Sequence, residues 1–315
     1  MQDYGKGGSK MSKIAQLGKK DLKSKDKNPI NFDWLFYTLV TIFLVVAFFV
    51  TLYPFIYISA VSLSGYWAVQ RGDVFLWPVD FTLEGYSVVL RQAGLLRAYY
   101  NTLWYTIVGT TLSVIATAIA AYPLSRKEFV IRRPLNFFIA FTMFFSGGMI
   151  PGYLNIVRLG LLNSRWVMII PGLVGTFNIM IVRSAYSAVP DELTESAKID
   201  GANDLMIFAR VAVHLIKPTL AVIALFIAVG QWNNFFTPLL YISNRDLQPM
   251  SVLLRRVLLQ GSAEMLQEFD GPDRDLVSLQ IRYVTIMVAT LPILASYPFI
   301  QRFFIKGVML GAVKG

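Results

Sequence analysis

Six apolar runs, separated by polar or breaker-rich stretches, organise the chain. They cover Trp34 to about Ala60, about Thr102 to Leu124, a run from near Pro134 to the Gly147-Gly148-Met149-Ile150-Pro151-Gly152 break, Trp166 to about Arg183, Thr219 to about Ile242, and about Tyr283 to Phe304. A helix needs about 20 apolar residues to cross a bilayer, and these runs suit helices rather than strands. The pattern predicts an all-α membrane protein with six transmembrane helices. Glycine and proline inside the runs do not argue against this, because membrane helices tolerate both. Trp34 and Tyr37 suit an interfacial position.

Composition agrees: 55% of the 315 residues are hydrophobic and 15% charged, with a mean hydropathy of +0.54. Soluble domains carry about 25% charged residues. A net charge of +10 could suggest nucleic acid, but its distribution follows membrane topology. With both termini inside, the inner segments hold nineteen Lys and Arg and the outer segments ten. This matches the positive-inside rule. Without the lysine-rich N-terminal tail the count is eleven against ten, so Arg126, Lys127, Arg132 and Arg133 are the firmest single anchor. The organisation that follows is a basic cytoplasmic tail over 1–33, a first transmembrane helix and external loop over 34–98, a five-helix transmembrane domain over 99–305, and a cytoplasmic C-terminal tail over 306–315. The first run follows a basic region, as a signal peptide does, but it is far longer than the usual signal core.

There is no cysteine and a single histidine, His214. Thiol nucleophiles, disulfides and Cys or His metal clusters are excluded. No Gly-x-x-x-x-Gly-Lys-Ser/Thr loop is present, so the chain carries no nucleotide-binding signature of that kind. A secondary transporter with its own ion coupling predicts intramembrane carboxylates, and none is well placed. A membrane enzyme, such as a glycosyltransferase or protease, predicts a clustered nucleophile, base or acidic site. The acidic residues Glu264, Glu268, Asp270, Asp273 and Asp275 form the one dense cluster, and a solvated loop accounts for them.

The polar connector from Ser184 to Lys217 is the most informative segment. Pro190 can start a helix that places Asp191 and Glu192 in its first turn. Glu195 and Lys198 form an i, i+3 pair. Gly201 can end that helix in the left-handed conformation, and Asn203 can cap a second one through Met206, Ile207 and Arg210. Small residues Ser196, Ala197 and Ala202 near the bend allow close approach of a partner. The bare pattern also suits a plain solvated connector.

The spacing Glu195-Ser196-Ala197, Gly201, then Val211 and Val213-His214 resembles the permease signature of bacterial binding-protein-dependent ABC importers. Asp200-Gly201-Ala202 is also typical of that family. Ser196, Val211 and Val213 depart conservatively; His214 stands where proline is usual, and Pro218 can supply the break. The resemblance extends from about Tyr100-Asn101-Thr102 to the C-terminus. Met149-Ile150-Pro151, Phe177-Asn178-Ile179, Gln231-Trp232-Asn233 and Gly311-Ala312-Val313-Lys314-Gly315 look like the carbohydrate branch, and the ending resembles the second permease subunit of maltose-type transporters.

The resemblance implies a type I importer permease fold with a cytoplasmic coupling helix, in the bacterial cytoplasmic (inner) membrane. It implies that Glu195, Ser196, Ala197, Asp200, Gly201, Ala202 and Asn203 dock a cytoplasmic ATPase, and that Gly311 and Lys314 in the tail reach the ATPase subunits. The implied partners are a second homologous permease in a heterodimer, two ATPase subunits, an extracellular or periplasmic solute-binding protein, and membrane lipid. ATP and Mg belong to the partner ATPase; this chain has no cofactor, metal or catalytic residue of its own. A sugar path needs polar partners for hydroxyls and aromatic faces for C–H groups. Asn178, Gln231, Trp232, Asn233, Asn234 and Tyr297 are the candidates, although polar residues in spans also serve as interhelical glue. An oligosaccharide is the expected cargo.

Overall fold

The computed structural model describes residues 32–91, 93–260 and 279–295. The described residues are helical or irregular, with no strand among them. They fall into two compact units, 1–55 and 56–315. The N-terminal tail, the acidic cluster 264–275, Tyr297, and the tail residues Gly311 and Lys314 lie outside the described residues.

Helix α1 covers Phe32–Ser62. Its apolar side chains from Trp34 to Val50 are largely exposed. A helix that is hydrophobic all round belongs in an apolar surrounding, so lipid is the natural solvent of this surface. Helix α4 (Ala93–Ser125) is the long central helix of the second unit. These two are long and apolar enough to cross a membrane, and two bent helix pairs bring the described spans to as many as four. The first pair joins short 3-10 turns within Arg165–Gly172 to α7 (Thr176–Ser187) at 52°. The second joins α9 (Asp204–Leu215) to α10 (Lys217–Asn233) at 78°. Helix α13 (Leu279–Ala295) is a shorter apolar helix.

Several expected loops and spans are built differently. The expected external loop over 63–98 contains helices α2 (Tyr66–Arg71) and α3 (Glu84–Arg91). The expected third span holds a helix of ten residues, α5 (Arg132–Phe141), and the breaker-rich stretch and expected linker after it hold a second, α6 (Met149–Arg158). At 1.5 Å per residue each is about 15 Å long, half the hydrocarbon thickness. Gly148, at φ +86°, breaks the run between them. The fifth run is also interrupted: α10 ends at Asn233, and α11 (Phe236–Tyr241) follows. The expected loop after it opens with α12 (Met250–Gln260). Hydropathy alone missed α2, α3 and α12 because each is short and mixed in character.

Two of the hydrophobic clusters in the second unit join the helices that matter here. One packs Val88, Val89, Leu95, Met250, Ile281 and Val284, joining α3, α4, α12 and α13. The other packs Ala121, Leu124, Val182, Tyr186, Ala212 and Ile223, joining α4, α7, α9 and α10. Helices α4 and α10 approach closely at Gly109, where a Cβ would sit 3.2 Å from the Gln231 amide nitrogen. Asn101 ties three segments at the opposite end of α4 from Ser125. It is fully buried, donates to the carbonyls of Asp246 (2.8 Å) and Gln248 (3.2 Å), and accepts from Arg165 Nη2 at 3.1 Å.

Candidate functional site

The connector folds as a rigid elbow. Helix α8 (Asp191–Ile199) starts after Pro190 and carries Asp191 and Glu192 in its first turn, where the helix dipole favours carboxylates. It ends in a Schellman motif: Ala202 N donates to Ala197 O and Gly201 N to Lys198 O, each at 3.0 Å. Gly201 takes φ +81°, the left-handed conformation that this ending requires. Asn203 Oδ1 then accepts from Met206 N at 2.8 Å and caps α9. Within α9, Ile207–Ala212 is wound as a π-helix. Pro218 lies in the first turn of α10, at the 78° bend, so it supplies the break that His214 does not.

Three contacts fix the elbow to the membrane helices. Arg126 Nη1 donates to Thr194 Oγ1 at 3.1 Å, on the buried side of α8. Lys127 Nζ pairs with Asp191 Oδ2 at 2.7 Å. That bond holds the exposed Asp191 carboxyl below its ordinary range and pushes the Lys127 ammonium above its own. Tyr122, Tyr186 and Phe208 pack ring to ring across α4, α7 and α9, with the Arg126 guanidinium 4.6 Å from the centre of the Tyr122 ring. Nothing in the sequence pattern announces these contacts; there the basic cluster 126–133 reads only as a topology signal.

The elbow's outer surface presents the predicted residues. Glu195, Ser196, Asp200, Gly201 and Asn203 are exposed, and Ala197 and Ala202 are half-buried. Among them stand two apolar side chains, Ile199 at 87% exposure and Leu205 at 73%. These groups, with the less exposed Leu193 and Met206, are left uncovered by this chain.

A cavity of about 480 Å³ lies between the end of α10, α12 and α13. Trp232 and Asn233 line it, together with Phe235 and the Ser251–Leu259 face of α12. The other predicted path residues are placed elsewhere. Gln231 donates to Met168 O at 3.2 Å and ties α10 to the Arg165–Met168 turn. Asn234 Oδ1 accepts from Thr237 N at 3.2 Å, in the first turn of α11. Asn178 is half-buried in α7 and packs against Gly175.

No protein-family model matches the chain. The polygalacturonan/rhamnogalacturonan transport system permease protein YtcP of Bacillus subtilis is 37% identical over 289 residues, which cover 90% of this chain and 98% of that protein. The chain belongs to the permease subunits of sugar ABC importers. The arabinooligosaccharides transport system permease protein AraQ of Halalkalibacterium halodurans is 27% identical over 88% of this permease and 96% of its own length. In three dimensions this permease resembles a chain of a bacterial ABC transporter that imports the acidic polysaccharide alginate. The TM-score is 0.81 at 32% identity, over 88% of this chain and 99% of that one. Nothing in these likenesses supports a secondary transporter.

Proposed function

We propose that this permease passes an oligosaccharide across the bacterial cytoplasmic membrane, driven by an ATPase subunit that docks on the α8–α9 elbow. The observation that carries the reading is the elbow itself. It is bonded to the residues just after α4, through Arg126–Thr194 on its buried side and the exposed Lys127–Asp191 pair. Its outer side exposes Glu195, Ile199 and Leu205. A partner that moved this bend would move the ends of α4, α7 and α10 with it, since one core joins them. That is the mechanical requirement for alternating access.

In this reading the chain makes six spans, counting the α5–α6 region and α13 with its continuation. Both termini and the elbow face the cytoplasm. ATP and Mg bind the partner ATPase pair. A second, homologous permease completes the translocation path, and a solute-binding protein delivers cargo on the outer side. The domain layout is the tail 1–33, first span and external segment 34–98, transmembrane domain 99–305, and tail 306–315, with Gly311 and Lys314 reaching the ATPase. The relatives support oligosaccharide cargo: they are transporters of polygalacturonan and rhamnogalacturonan, of arabinooligosaccharides and of alginate. The alginate importer favours an acidic one.

Affinity purification of this permease after mild detergent extraction tests the reading. Recovery of a second permease, an ATPase and a solute-binding protein is expected. A purified chain that transports sugar by itself, with no ATPase, would overturn it.

A further inference from the structure

The cavity beside Trp232 has the chemistry of a selective site. Its volume of about 480 Å³ falls within the range usual for small-ligand pockets, about 300–1,000 Å³. Ser251, Leu254, Arg255 and Leu258 recur at helical spacing, so one face of α12 forms a wall. Trp232 and Phe235 offer flat apolar surfaces from the opposite side.

The polar atoms are sorted by role. Asn233 Nδ2 gives one of its two hydrogens to Val229 O at 3.0 Å, which leaves its other N–H and its Oδ1 for a ligand. The Ser251 hydroxyl donates to Asn234 O at 2.8 Å, and that of Thr290 to Ile286 O at 2.7 Å. Both oxygens keep lone pairs free. The wall therefore offers acceptors for hydroxyl donors and aromatic faces for C–H groups.

Arg255 is the one charged residue among those lining the cavity. No hydrogen bond or ion pair joins its guanidinium to any described residue. Its neighbour Arg256 is engaged differently: its Nη2 donates to Gln248 Oε1. A guanidinium is a planar fork of donors that matches a carboxylate in two parallel bonds. Arg255 is exposed, so solvent screens part of that attraction and the geometric match carries the selectivity. A hydroxylated ligand with one apolar face and one carboxylate satisfies every group present.

We propose that Arg255 reads the carboxylate of a uronate residue in the transported sugar chain. This rests on the oligosaccharide reading above and assigns its selectivity to a residue.

The test is uptake by the complete transporter in proteoliposomes, with its solute-binding protein, using trigalacturonate and its neutral methyl ester as probes. The quantity read is the ratio of acid to ester uptake. The binding protein is the same throughout, so its own preference cancels between variants. Arg255→Gln should lower the ratio about tenfold or more, the loss expected for a hydrogen bond to a charged group. Arg255→Lys should restore much of it by returning the charge. A ratio unchanged in Arg255→Gln, with the acid still carried, overturns the role of Arg255 and leaves the oligosaccharide reading standing. Equal loss of both probes assigns Arg255 a structural role and also overturns it. Uptake of neither probe by the unsubstituted transporter counts against both.

Discussion

Arg126 and Thr194 stand 68 positions apart, yet Arg126 Nη1 donates to Thr194 Oγ1 over 3.1 Å. The bond joins the residue that follows α4 to the buried side of the elbow helix. Thr194 is 8% exposed, so losing its hydroxyl leaves Arg126 without an easy replacement.

Thr194→Val keeps the shape and removes the acceptor. It should cost about 1–2 kcal/mol and uncouple ATP hydrolysis from uptake, while Thr194→Ser should retain both. Thermal unfolding of the purified complex and substrate-stimulated ATPase activity read the two effects.

Gly201 is required for its backbone and not for space, because a Cβ there would meet nothing within 4 Å. At φ +81°, Gly201→Ala should cost about 1–2 kcal/mol from left-handed strain. Gly201→Asn should cost less, since Asn accepts this conformation more readily. Thermal unfolding and uptake of the two variants, measured side by side, check the order.

The Lys127–Asp191 pair sets a pH expectation. The Asp191 carboxyl is held down by Lys127, so its contribution is complete above the ordinary carboxylate pKa of 3.8 and lost only as pH falls through the lower folded value. The Lys127 ammonium is held up by Asp191, so its contribution is complete below 10.5 and lost as pH rises through the higher folded value. Between about pH 5 and 9 the pair should therefore add no pH dependence to unfolding. Comparing unfolding curves of the native chain and Lys127→Met across that window checks this; a difference that changes with pH would contradict it.

Asn101 is the corresponding fixed point at the other end of α4. Asn101→Leu would strand two carbonyls and release Arg165, at a cost of about 2–3 kcal/mol. Arg165 also lies 5.3 and 5.4 Å from the Tyr100 and Trp104 ring centres. Arg165→Lys, which loses the planar stack, should fall between the native chain and Asn101→Leu in thermal stability.

Much of the elbow was legible in the sequence because its signals are local. Pro190, Gly201 and Asn203 each act within a few residues, and each performs in the structure the local role its chemistry suggests. Contacts across the fold were not legible. Nothing near Arg126 announces Thr194, and nothing in Gln231-Trp232-Asn233-Asn234 says which side chains will be spent on Met168 and Thr237. In the sequence Arg255 reads as one more outer-side loop charge, because α12 is too short and mixed in character to register as a cavity wall. The third run differs for a related reason: from Pro134 it reads as one apolar stretch up to the Gly147-Gly148 break, while the helix already ends at Phe141 and the next begins at Met149.

Co-purification of the ATPase with Glu195→Lys and Ile199→Asp permease tests the central claim most directly. Both positions are exposed on the elbow, so the permease should still insert and pair with its homologous partner. The account predicts that the ATPase is lost from both variant complexes and that uptake ceases. Full recovery of the ATPase with normal coupling in both would contradict it.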